Sequence, residues 1–238
     1  MSVANITQHG EALTARRNFF FKRRRWLLVV LAVMLAVLAW AAFDIFSPRQ
    51  TDIRRFDPEE VARLDTAMWR SYYGKQRVAL FRQLAELLRT QYHLPLLRSH
   101  LVAYQAAKAA FIFKDGKSRA DYEKALPNLL SFYAEIRKVS NVEFDAQRAA
   151  RLELEWWIIH RERAKYQSGE LERALAELAA ELYQLPAERM MEHARLRAEA
   201  MRIRDTKAEE GGVTEEDWKK IDELLRASWL SLSHAVNN

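Results

Sequence analysis

Two kinds of hydrophobic pattern share this chain. Between Trp26 and Phe43 it reads WLLVVLAVMLAVLAWAAF, an uncharged run directly behind Lys22, Arg23, Arg24 and Arg25. From Asp57 onward, apolar residues instead recur every three or four positions between charged ones, almost to the C-terminus. The first pattern is a helix apolar all round; at 1.5 Å per residue it extends about 27 Å, close to the roughly 30 Å hydrocarbon core of a bilayer. The second is that of amphipathic helices sharing a core.

The periodic part divides into eight helices. Asp57, Pro58, Glu59 and Glu60 open the first, with Val61, Leu64, Met68 and Tyr72 on one face. The second carries Val78, Phe81, Ala85, Leu88 and Tyr92; the third, Pro95 to Phe113, carries Leu97, Leu101, Tyr104 and Lys108 and reads as a buried helix, since Arg98, His100 and Lys108 argue against a second membrane span. The fourth starts at Ser118 with Asp121 as its cap partner, and Pro127 predicts a kink or break near Ala125. The fifth holds Leu152, Trp156, Ile159 and Arg163, the sixth Leu171, Leu175, Leu178 and Leu182, and the seventh runs from Pro186 to about Asp205. Thr214 and Asp217 form a capping box for the eighth, which carries Trp218, Ile221, Leu225, Trp229 and Leu232.

Gly74, Gly116, Gly169 and the pair Gly211–Gly212 fall between helices and read as left-handed turns. No segment alternates with period two, so no sheet is expected. The fold class is therefore all-α: one N-terminal transmembrane helix, then about eight helices in four helix-turn-helix hairpins, stacked as an array or gathered as an irregular bundle. The organisation predicted is a basic tail over 1–25, an anchor over 26–46, a linker over 47–56 and an exported helical domain over 57–236.

Charge decides orientation and removes a function class. Residues 1–25 hold six Lys or Arg against the single acid Glu11, while the remainder carries 32 basic and 31 acidic side chains. The positive flank places the N-terminus in the cytoplasm and suits Lys22, Arg23, Arg24 and Arg25 for contact with anionic headgroups. Trp26 and Trp40 stand near the two ends, where indoles favour the headgroup layer. Ala39, Trp40 and Ala41 have the small-x-small form of a cleavage site, but the run and its basic leader are longer than a signal peptide's usual regions. A nearly neutral remainder offers no global footprint for nucleic acid. The absence of cysteine excludes disulfides, thiolate metal sites, c-type haem attachment and a cysteine nucleophile.

The stretch AKYQSGELERALAELAAELYQLP, Ala164 to Pro186, resembles the second half of a tetratricopeptide unit. Tyr166, Gly169, Ala174, Leu178, Leu182 and Pro186 fall in that family's register, whereas Glu162 and Glu181 stand where it has small residues. The resemblance implies stacked hairpins acting as a scaffold that binds a partner without chemistry of its own.

The strongest candidate for a ligand or partner face is LELEWWIIH, residues 152–160, where Glu153, Trp156, Trp157 and His160 project from one side of a helix. Such a face could line a haem or metal pocket, or be core with its polar members satisfied at the margin. Glu153 and His160 lie roughly 10.5 Å apart along the axis, which disfavours chelation of one ion. No His follows an acid at the spacing of a di-iron bundle, and phosphate-binding loops and the Gly-x-Ser-x-Gly elbow are missing. Arg189, Arg195, Arg197, Arg202 and Arg204 interleave with Glu188, Glu192, Glu199 and Asp205 and read as a solvated, ion-paired helix face. The expectation is a membrane-anchored helical interaction protein with no catalytic residue, cofactor or metal. Its partners are a membrane crossed once and another protein, with self-association open, and its setting is a bacterial inner membrane with the C-terminal domain in the periplasm. The alternative is a tethered bundle holding haem or a metal on the Glu153/Trp156/Trp157/His160 face.

Overall fold

The computed structural model describes the backbone of residues 4–47 and 49–238, and side chains from residue 24 onward except Pro48. Among these residues there is no strand, only one isolated parallel bridge between Thr51 and Ser140. The chain separates into two compact units, residues 1–47 and 48–238.

The first unit is a single helix, α1 (Ala4–Phe46), so the basic and apolar segments are continuous in one helix. Its stretch Arg24–Phe46 is long and apolar enough to cross a membrane, and its large apolar side chains are mostly exposed, Trp26 at 69% and Leu38 at 61%. Arg24 and Arg25 are exposed; the side chains of Lys22 and Arg23 lie outside the described residues.

The second unit contains α2 (Pro58–Tyr73), α3 (Arg77–Tyr92), α4 (Leu96–Asp115), the one-turn α5 (Arg119–Tyr122), α6 (Leu126–Val139), α7 (Ala146–Arg161), α8 (Glu170–Tyr183), α9 (Ala187–Glu209) and α10 (Glu215–Asn237). Pro127 breaks the predicted fourth helix: α5 passes through a 3-10 turn, Glu123–Ala125, into α6, where the proline occupies the first turn and its missing N–H costs nothing. Asp57 caps α2 by accepting from the Glu59 and Glu60 amides, and Thr214 and Asp217 form the reciprocal capping box of α10.

Each long helix packs on the next, α2 on α3, α3 on α4, α4 on α6, α6 on α7, and so on to α10, which returns to pack on α2. The unit is thus a closed ring of eight antiparallel helices, not an open superhelical array. Within the tetratricopeptide-like stretch, Ala174, Leu178 and Leu182 are buried as that register requires. Glu181, however, accepts from the Asp145 amide at 2.8 Å and pairs with Arg148, tying α8 to the start of α7.

The glycine turns collect at one end of the ring, and two of them serve a different purpose from the one expected. Gly169, Gly211 and Gly212 have positive φ, but Gly74 and Gly116 do not. At Gly116 the requirement is space, because a Cβ there would stand 2.7 Å from the Tyr122 ring.

At the opposite end, residues 51–55 of the stretch assigned as linker cross the ring beside the C-termini of four helices, where carbonyls lack intrahelical partners. The Thr51 amide donates to Val139 O at 2.7 Å, Arg54 Nη2 to Tyr183 O at 2.9 Å and Asn237 Nδ2 to Arg54 O at 3.0 Å, while His93 Nε2 donates to Arg55 O at 2.6 Å. The cationic Arg54 also complements the negative end of the α8 dipole. Ile53, between these contacts, is completely buried and plugs the ring.

Candidate functional site

The face read from α7 divides in two. Glu153 accepts from the indole of Trp157 at 2.9 Å through Oε1, and from Trp156 at 3.0 Å and the Tyr133 hydroxyl at 2.8 Å through Oε2. Positions three and four residues on lie over the same side of the helix, so both indoles reach one carboxylate. The rings then lock: Trp156 meets Trp157 edge-on at 6.1 Å, and Phe113 meets Trp157 at 5.2 Å. Burial pushes the Glu153 carboxyl up, although the three donated hydrogen bonds and the Arg197 charge oppose it.

His160 belongs elsewhere. Its Nε2 donates to Asp205 Oδ2 at 2.9 Å, and Asp205 also receives Arg204 at 2.8 Å and Arg163 at 3.4 Å. Burial raises the Asp205 carboxyl, but its hydrogen bonds from His160 and Arg204 outweigh this and hold it below the usual carboxylate range. The expected four-residue face is therefore a Glu–Trp–Trp cluster plus a separate His–Asp pair.

A buried polar cluster joins residues that stand far apart in the sequence. Arg197, on α9, pairs with Asp65 on α2, and Trp229 Nε1 on α10 donates to the same carboxylate at 2.9 Å. The guanidinium lies between the faces of Trp69 and Trp229, 5.5 and 5.7 Å from their centroids. This corrects the assignment of Arg197 to a solvated face: its side chain is 16% exposed and that of Asp65 2%. Arg195 with Glu192, and Arg202 with Glu199, do form the exposed pairs expected of that series. The available signal was an acid inside the Val61-Leu64-Met68 stripe and an arginine at helical spacing from Met190, Ala194 and Met201.

Two further contacts complete the interior. Gln91 Nε2 donates to the Tyr183 hydroxyl at 3.4 Å, and burial pushes that phenol up to about 12. His193 Nδ1 donates to Ser228 O at 3.0 Å and lies 2.8 Å from Ser228 Oγ. This Ser–His pair is no nucleophile: Ser228 has no exposed surface, and its hydroxyl donates to the His193 carbonyl at 2.9 Å, cross-tying α9 and α10. Among the described residues, no group of three or more His, Asp or Glu side chains is placed to hold a metal ion. Both oxygens of Glu153 and Nε2 of His160 are already engaged.

The surface carries a second correction. The Leu97, Leu101, Tyr104 and Lys108 stripe of α4 faces outward, with Leu101 52% and Tyr104 56% exposed, while Arg98, Ser99, Val102, Ala103 and Ala109 form the buried face. Small residues let α4 lie close to its neighbours, and buried Arg98 is satisfied by Glu135 at 3.0 Å, so the large side chains remain outside. Val78 of α3, expected inside, is 83% exposed. Between α3 and α4 lies a groove of about 450 Å³, lined by Leu80, Phe81, Ala107, Phe111 and Ile112 together with Arg77, Tyr104, Lys108 and Asp115; Val78 and Leu101 lie outside its lining.

Compared with family models, curated proteins and solved structures, the chain matches none.

Proposed function

We propose that this chain is a single-pass membrane protein, N-terminus in the cytoplasm, whose helical ring works outside the cytoplasm as an interaction module that binds another protein. In a bacterial cell that places the ring in the periplasm. The observation that carries the proposal is the open apolar surface of α4, where Leu101 lies exposed, and its groove with α3, where Tyr104 and Phe111 do. Contiguous apolar surface on a folded domain marks a place where something binds. The interior supports the same reading from the other side, because its carboxylates, indoles and guanidinium are spent on one another. The tetratricopeptide-like Ala164–Pro186 hairpin is consistent with a scaffold role.

The test is crosslinking in native membranes followed by purification of the full chain. A reproducible stoichiometric partner or self-association is expected; neither appearing defeats the proposal. Protease protection of intact membrane vesicles checks orientation, the ring being cleaved only from the face opposite the cytoplasm.

A further inference from the structure

The near balance of charge after residue 25 conceals a segregation. Residues 75–117, the α3–α4 pair and its turns, carry eight Lys or Arg against Glu86 and Asp115 alone, whereas residues 48–74 and 118–238 together carry 24 basic and 28 acidic side chains. Elsewhere on the ring, arginines are largely matched, as in Arg63 with Glu60, Arg119 with Glu155 and Arg226 with Asp222. Among the described residues, Lys75, Arg77, Arg82, Lys108 and Lys114 form no ion pair with a carboxylate; Arg77 rests on the Phe111 ring at 5.4 Å. The exposed apolar stripe thus lies within the basic quarter of an otherwise slightly acidic domain.

We infer that the α3–α4 groove seats the apolar face of an acidic amphipathic helix belonging to a partner protein, a step that rests on the interaction-module reading above. On its α4 side the groove runs from Tyr104 to Asp115, three turns and about 17 Å, enough for anchors at i, i+3, i+4 and i+7 of a docked helix. The apolar floor takes that helix's hydrophobic face, and Arg77 and Lys108 meet carboxylates flanking it, two cations against the single acid of the lining, Asp115. A second copy of this chain using the same face would oppose two basic surfaces across a two-fold axis, a repulsive arrangement. A bilayer shares the anionic chemistry but is flat, and the floor between two helices accepts a rod.

The absence of cysteine permits a single reporter: Tyr104→Cys, an exposed position lining the groove, in the full chain, labelled with a polarity-sensitive dye and held in neutral-lipid nanodiscs. The probes are a synthetic helix of roughly five turns with leucine along one face and glutamate on its flanks, and its twin with lysine for glutamate. Blue-shifted emission is expected with the glutamate peptide, at an affinity at least tenfold tighter than with the lysine twin and weakening with salt. In Arg77→Glu/Lys108→Glu the preference inverts; both positions are exposed, and an unchanged Tm shows that the ring is intact. Equal affinities or no binding overturn the inference. So does a blue shift in anionic nanodiscs without peptide, which assigns the face to lipid, or one that grows with protein concentration alone, which assigns it to a second copy. If native crosslinks reach a partner only through another surface, the inference fails while the interaction module stands; finding no partner or self-association removes both.

Discussion

Arg197 and Asp65, 132 residues apart, meet in an ion pair that fastens α9 to α2. Because α9 packs against α8 and α10, and α2 against α3 and α10, this contact bridges two helices that flank a common neighbour. Trp229 of that neighbour supplies a third hydrogen bond to the same carboxylate.

Removing one partner leaves an unpaired buried charge. Asp65→Ala and Arg197→Met are each expected to lower unfolding free energy by about 3–5 kcal/mol. The double replacement Asp65→Leu/Arg197→Met recovers much of that loss, since no stranded charge remains. Denaturant unfolding of the three variants measures the coupling; purely additive losses contradict it.

His193 makes stability pH-dependent. Burial, with help from the Arg197 charge, pushes its imidazole down to about 4, against hydrogen bonding at Ser228 and the opposing charge of Asp65. Between that value and about 6.5 the unfolded chain binds a proton that the folded one refuses, so stability falls as pH falls through this window, by about 3 kcal/mol at its lower end. His193→Asn keeps a donor for Ser228 O and is expected to flatten the slope across pH 4 to 6.5. An unchanged slope in that variant rules out His193 as its source.

The plug contributes both apolar burial and caps. Ile53→Ala is expected to cost about 2–5 kcal/mol, through lost transfer energy and the cavity left behind. Arg54→Ala, which uncovers Tyr183 O, costs about 1–2 kcal/mol. Hydrogen exchange locates both effects: the last turns of α3, α6, α8 and α10 lose protection before the glycine end, and uniform loss contradicts a capping role.

Two turn glycines are predicted to respond differently. Gly169 has φ +90 and open space around it, so Gly169→Ala costs about 1–2 kcal/mol and Gly169→Asn less, because asparagine tolerates the left-handed region. At Gly116 any Cβ meets the Tyr122 ring, itself held against Phe113, so alanine and asparagine there cost a similar 1–3 kcal/mol, roughly. Thermal unfolding of the four variants distinguishes the cases.

The helices were legible from the sequence wherever a stripe was large and uninterrupted. The Trp218-Ile221-Leu225-Trp229-Leu232 face of α10 is buried at every position, and the caps at Asp57 and Thr214 sit where their residue types predict. The pattern misled on α4, because alanine and serine pack helices closely while scoring as weakly apolar, leaving the larger leucine and tyrosine side chains outside. On α7, proximity along the chain joined Glu153, Trp156 and Trp157 correctly, but His160 found its partner 45 residues away. Arg197 was hidden for the same reason: its surroundings in sequence are a charged helix, and only ring closure gives it Asp65. Local periodicity carries no information about which distant helix will face a given side chain.

Closure also bears on the order in which the molecule can fold. The bonds that complete the ring join residues 164 and 183 positions apart, Trp229 to Asp65 and Asn237 to Arg54. While a nascent chain lacks α10, Asp65 has no indole, His193 has no Ser228, and α2 has an unpaired flank. Such high contact-order closure is slow, and incomplete domains expose hydrophobic surface in the meantime. Synthesis from the N-terminus makes α10 after α2 and α9, the two helices it joins, so closure of the ring waits on this 23-residue helix.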